Sequence, residues 1–319
     1  MPSTQEMSER EELRSKEKDQ GEQKRQSLEA LTTWNRALKE YSRLPLESSE
    51  NPARDRLAAI SGVAESLSKQ IGGCQQYKYI AGLWVVGDTY NYFAEQLLWR
   101  RVQHHDKSLS NDNPIELIDG ALSWSWASIS GAVEHTCDYN DEFDVVIDIL
   151  EIKTELVDES CPFGAVKGGG SLRIRAPLLD SDMIPVGDDP IDRDLLTGNL
   201  IWESSGKIYL DSGTAGDYQL DVIEKRDIPD SKGLWFWLPV VYSQRNRQAM
   251  GLILEGVDDD DHGEDIFKRV GMFQIPEEFS AYDNEEALPD FQELFIEANG
   301  KDDGGPFPEW GPRRIITIM

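Results

Sequence analysis

The apolar residues of this chain recur at one spacing up to about Ser123 and at another beyond it. This change limits the possible fold more than any other feature. Leu28, Leu31, Trp34, Leu38 and Tyr41 recur at three- and four-residue steps, which predicts one face of a helix ended by Pro45. Leu57, Ile60, Ala64 and Leu67 line a second predicted helix, with Asp55 as N-cap, Gly62 tolerated inside it and Gly72-Gly73 as its stop. A third is expected from Tyr92 to Val102, burying Phe93, Leu97 and Trp99.

Beyond Ser123 the runs are short, branched and separated by Gly, Asp and Ser clusters, as antiparallel strands require. Strands are expected over 146–152, 171–175, 207–210, 234–242, 250–255 and 267–273. The chain therefore reads as α+β: a short N-terminal helical layer followed by an antiparallel β-sandwich or irregular barrel. Four regions follow. Residues 1–26 form a charged segment, read as a mobile linker or frayed helix, because Leu13 is almost its only aliphatic anchor. Residues 27–122 are helical, 123–276 are β-rich, and 277–319 form an acidic Gly/Pro-rich tail in which Arg313–Met319 supplies an edge strand.

Charge is distributed as unevenly as period. The net charge is −28; residues 1–137 hold 16 basic and 20 acidic side chains, whereas residues 138–319 hold 16 and 40. Such a field repels phosphate backbones, so no nucleic-acid partner is expected. No apolar run approaches the roughly 18 residues that span a bilayer, and the first residues lack the apolar core of a signal peptide. The expectation is a cytoplasmic protein with no membrane partner. Cys74, Cys137 and Cys161 are odd in number and widely spaced, which fits free thiols.

Each candidate for chemistry has a plainer explanation. Aligned on Gly263, the Asp258–Asp265 loop would need Asp or Asn at 262 and Glu at 269 to hold calcium, but carries His262 and Arg269. Gly168-Gly-Gly170 precedes a strand rather than opening a helix, so it suits a tight turn and not a phosphate. His104-His105 are adjacent and point apart, and His135-x-Cys137 lacks the partner motifs of a zinc deaminase. No serine sits in a nucleophile elbow, and nothing selects one carboxylate pair among 60 acids. No catalytic, cofactor or metal residue is expected. Trp124-Ser-Trp126 and Trp235-Phe-Trp237 have the i,i+2 spacing that shares a strand face, which suits core packing or, alternatively, a glycan-binding groove.

Four phrases occur in order near the helical region: Asp55-Arg-Leu-Ala-Ala-Ile-Ser-Gly62, Tyr79-Ile-Ala-Gly-Leu-Trp84, Gln96-Leu-Leu-Trp-Arg100 and Trp124-Ser-Trp-Ala-Ser-Ile-Ser-Gly131. Together they resemble the region that follows the HET domain in fungal heterokaryon-incompatibility proteins. Trp34–Ser42, Pro162–Leu178, Gly251–Glu255 and Phe267–Phe273 extend the likeness to roughly Trp34 to Ile275. Ala58 and Leu122 depart from it where the family usually has proline.

The resemblance implies a non-enzymatic scaffold or regulatory portion, linked to non-self recognition and incompatibility cell death, with a HET domain or other protein as partner. The HET domain itself lies upstream in the family. The 33 residues before Trp34 are too few to hold it, so no residue here is expected to inherit its role. Trp84, Trp99, Trp124 and Trp126 are expected to act as structural anchors between layers.

Overall fold

The computed structural model describes residues 4–44, 51–70, 77–87, 90–102, 118, 120–137, 143–180, 207–210, 235–243, 245–246, 248–257, 265–276 and 313–319. The Gly72-Gly73 stop, the His104-His105 pair, most of the Asp258–Asp265 loop and residues 277–312 lie outside them.

Helix α1 runs without interruption over Thr4–Ser42, so of the two readings of residues 1–26 the helical one holds from Thr4. The alternating charges read as a linker suit a helix surface, where Arg25 pairs with Glu22 and Glu29 at three- and four-residue steps. Its last part buries a stripe: Ser27, Leu31, Trp34, Leu38 and Ser42. Helix α2 (Pro52–Gln70) starts earlier than Asp55. Asn51 caps it by accepting from the Arg54 N–H at 3.2 Å, with Pro52 in the first turn, where a missing N–H costs nothing. Its buried face carries Leu57, Ile60, Ala64 and Leu67, as the spacing predicts.

The expected all-helical span to residue 122 is corrected by three strands. β1 (Tyr77–Ile80) and β2 (Leu83–Val86) form a hairpin in which Tyr79 faces Trp84. Its two-residue turn has Ala81 at φ 49° and Gly82 at φ 94°, and paired positive φ values match the twist of adjacent strands. The expected third helix is only α3 (Asn91–Gln96). The chain then turns at Leu97-Leu98 into β3 (Trp99–Arg101), which pairs with β4 (Val133–His135). Backbone pairing with β4 overrides the helical spacing of this segment.

The remaining strands build one mixed sheet. They are β5 (Phe143–Val145), β6 (Asp148–Lys153), β7 (Ser171–Ala176), β8 (Leu179–Asp180), β9 (Lys207–Leu210), β10 (Trp235–Ser243), β11 (Gln248–Gly256), β12 (Ile266–Pro276) and β13 (Arg314–Ile318). The order is β5-β10-β11-β12-β13-β7-β6, with β8 also on β10 and β9 also on β12. β8 follows β7 after two residues and pairs with β10, near the other end of the path.

Two expectations are corrected here. β13 is not an edge strand: it lies between β12 and β7 and buries Ile316 and Ile318. The sheet is not wholly antiparallel either, because β13 runs parallel to β12. A parallel neighbour needs a long crossover, and residues 277–313 supply the length. The architecture is α+β.

The core is continuous from Leu31 and Trp34 through the hairpin to the inner residues of β7, β10, β11, β12 and β13. No described helix is long and apolar enough to cross a membrane.

Candidate functional site

The junction between the helices and the large sheet holds the most unusual side chains. Trp34, Trp84, Trp99, Trp124 and Trp126 are all fully buried, with two arginines, Arg56 and Arg269, among them. Burying a guanidinium is costly unless its donors and its charge find partners, so each arginine marks a built environment.

Arg269 comes from β12, beside the irregularity in its pairing with β11. Its guanidinium carbon is 3.4 Å from the Trp99 ring centroid, a cation–π geometry. It donates to the Leu97 carbonyl, and through Nη2 to the Trp99 carbonyl at 2.6 Å. Those carbonyls lie in the turn out of α3 and in β3, so Arg269 fastens the sheet to the helical layer. Its own N–H donates to Ser123 Oγ at 3.0 Å, and Ser123 Oγ donates to the Met319 carbonyl.

Arg56 does the same on α2. Its guanidinium carbon is 5.3 Å from the Trp126 ring centroid, and Nη2 donates to the Gly131 carbonyl at 3.1 Å. Burial lowers its pKa to about 10, which leaves it charged at neutral pH.

The tryptophans expected as anchors fall into two linked groups. Trp84 meets Trp34 and Tyr79 edge-on, with centroids 5.9 and 5.1 Å away. Gln96 fixes its backbone, accepting from the Trp84 N–H at 2.9 Å and donating to its carbonyl at 2.8 Å. Trp99 donates through Nε1 to the Trp124 carbonyl at 3.1 Å, and Phe93 packs on Trp124. Trp126 reaches back to the hairpin, donating to the Gly82 carbonyl at 3.0 Å, while Ser125 Oγ donates to Ala81.

A Cβ on Gly82 would stand 2.1 Å from Trp126 Nε1, so this turn requires glycine for space as well as for φ. Trp124 and Trp126 do not share a strand face: they flank the start of a 3-10 turn, Trp126–Ser128, for which Ser125 is the N-cap.

Sequence reasoning missed Arg56, Arg269, Gln96 and Ser42, the last of which accepts from the Val133 N–H at 2.9 Å. All four stand inside the resemblance phrases, but nothing in a sequence marks them as buried.

Two titratable groups are shifted by burial. Glu95 on α3 has one carboxyl oxygen buried without a hydrogen-bond partner, and burial raises its pKa to about 7. His135 has both ring nitrogens buried and unpartnered; burial, then the nearby Arg269 charge, lowers its pKa to about 3. A neutral imidazole results. For Glu134 burial acts upward, but Lys39 and Arg100 outweigh it and hold the carboxyl below its usual range.

Among the described residues no group of three His, Cys, Asp or Glu is placed to hold a metal. Cys137 is buried and Cys161 exposed. Of the Gly168–Gly170 triplet only Gly169 has a positive φ, and a Cβ on Gly168 would press on the Gly120 carbonyl. A shallow cleft beside α2 is walled by Asn51, Leu57, Ser125, Val166 and Lys167. Among the described residues no carboxylate, histidine or thiol lines it. The arrangement can rigidly join two layers.

No protein-family model matches the chain, and comparisons with the curated proteins and with the solved structures return no match.

Proposed function

We propose that this chain is a non-catalytic scaffold or regulatory portion of a fungal heterokaryon-incompatibility protein, acting in the cytoplasm through contact with a HET domain. One observation carries the reading. The ordered phrases of the resemblance hold Arg56, Gly82, Trp84, Gln96, Trp99, Trp124 and Trp126, and these residues bond or stack around a single junction. A set of motifs that converges on packing suits a rigid platform better than a reaction centre. The pairing of β8, just after β7, with β10 near the other end of the path favours an irregular barrel over a sandwich, and a barrel leaves fewer open edges for unwanted pairing.

The glycan-binding alternative draws less support. Trp124, Trp126 and Trp237 are buried, so none of these rings offers a face for stacking a sugar. Titration calorimetry of the full chain with a purified HET domain tests the proposal. Saturable binding is expected. Heat of dilution alone up to about 100 µM removes the contact reading, since even transient interfaces reach that range. Saturable signal on a glycan array, lost in Trp235→Ala, replaces it with the alternative.

A further inference from the structure

On a chain with 60 acidic and 32 basic side chains, a surface cation has acid close at hand. Lys39 and Arg100 share Glu134, Lys69 holds Glu65, and Lys167 holds Glu155. Other described cations, among them Arg36, Arg54, Lys78, Lys268 and Arg314, form no such pair, but two arginines without one stand together on β7. The strand register sets Glu151 opposite Arg173 and Asp148 opposite Arg175. Those carboxylates are engaged elsewhere: Glu151 with Lys153 at 2.9 Å and Asp148 with Arg313 at 3.3 Å. Among the described residues neither Arg173 nor Arg175 forms an ion pair.

Alternation along β7 puts both arginines on its outer face, because Leu172, Ile174 and Ala176 between and beside them are buried. On the other side of β7 the register sets Thr317 opposite Arg173 and Ile315 opposite Arg175. Ile315 is 42% exposed, and Leu150, at the irregularity in β6, is 41% exposed. The face therefore offers two guanidinium forks, one strand repeat apart, flanked by two exposed aliphatic side chains.

We propose that the outer face of β6, β7 and β13 docks an extended acidic polypeptide segment of a partner protein. Its carboxylates would engage Arg173 and Arg175, and its apolar side chains would cover Leu150 and Ile315. The inference rests on the scaffold reading and gives the chemistry of the partner. A planar guanidinium donates two parallel hydrogen bonds to a carboxylate, and residues two apart in an extended peptide repeat at about 7 Å, as Arg173 and Arg175 do along β7. Charges beyond roughly 8–10 Å are screened at physiological salt, and within that range Lys153 and Arg313 balance Glu151 and Asp148, which leaves the two guanidinium charges of β7 to set the local field for a short segment. A nucleic acid fits less well: its phosphates extend past the patch into that field, and β6, β7 and β13 carry no aromatic ring for base stacking.

Fluorescence anisotropy of the full chain with a labelled peptide of alternating Glu and Leu, about twelve residues long, tests this. Saturable binding is expected, falling at least about tenfold in R173Q/R175Q and absent for the matching Gln/Leu peptide. The double variant should unfold at the same temperature as the parent, because both side chains lie on the outer face. Unchanged binding in the double variant, or none to the parent, overturns the proposal. Binding of oligouridylate that is lost in R173Q/R175Q overturns it in favour of a nucleic acid. HET-domain binding that survives in R173Q/R175Q leaves the scaffold reading standing and removes only this surface.

Discussion

Arg269 of β12 stacks on the indole of Trp99 in β3, and its fork closes on the carbonyls of Leu97 and Trp99. One side chain thus joins two parts of the chain some 170 residues apart. Replacing it with methionine keeps much of its volume but leaves both carbonyls short of a donor. A loss of about 3 kcal/mol in urea unfolding is expected, and Arg269→Lys should lose less because one ammonium still donates. A change below about 0.5 kcal/mol for the methionine variant would show that the junction does not depend on this contact.

Gly82 and Trp126 form a second coupled pair. Gly82→Ala should cost about 2–4 kcal/mol, since both the φ of 94° and the Trp126 ring oppose a Cβ. Trimming the ring to phenylalanine in the same chain should recover part of that loss, a positive coupling that a double-mutant cycle measures. Strict additivity would mean the cost is backbone strain alone.

Trp84, Trp124 and Trp126 are tested singly by alanine. Each is fully buried, so each substitution should lower stability by about 3–5 kcal/mol and shift the tryptophan emission to the red. If all three variants melt with the parent, the anchor reading is wrong.

Glu95 predicts a pH dependence with a definite sign. Its folded pKa, about 7, is above the ordinary 4.5, so the folded state holds the proton longer than the unfolded state does. Stability from this group is therefore complete below pH 4.5 and declines as pH rises towards 7, by about 3 kcal/mol in all. Glu95→Gln should remove that decline, so that its advantage over the parent is greater at pH 8 than at pH 4. Parallel stability curves for the two proteins would contradict this.

The α1 and α2 faces were legible because Leu31, Trp34, Leu38, Leu57, Ile60 and Leu67 each repeat at the helical step and need only one covering surface. Most of the larger strands were legible because alternation such as Ser171-Leu-Arg-Ile-Arg175 is local. The hairpin was not: in Tyr79-Ile-Ala-Gly-Leu-Trp84 every residue but the turn is apolar, so it shows no period at all. The candidate site was legible in part, since the tryptophans were singled out. Their partners Arg56, Arg269 and Gln96 were not, because polar residues on apolar segments look the same whether they face water or a buried carbonyl.

By itself the sequence determined the class of the chain, the apolar faces of α1 and α2, and the aromatic residues that carry the core. Those properties follow from period and composition, which are local. Tertiary structure alone decided that β13 enters the sheet parallel to β12, that β8 pairs with β10, and that two arginines are buried on two indoles. Each of these joins residues far apart along the chain, and only packing and the demand to satisfy buried donors and charge choose between such pairings.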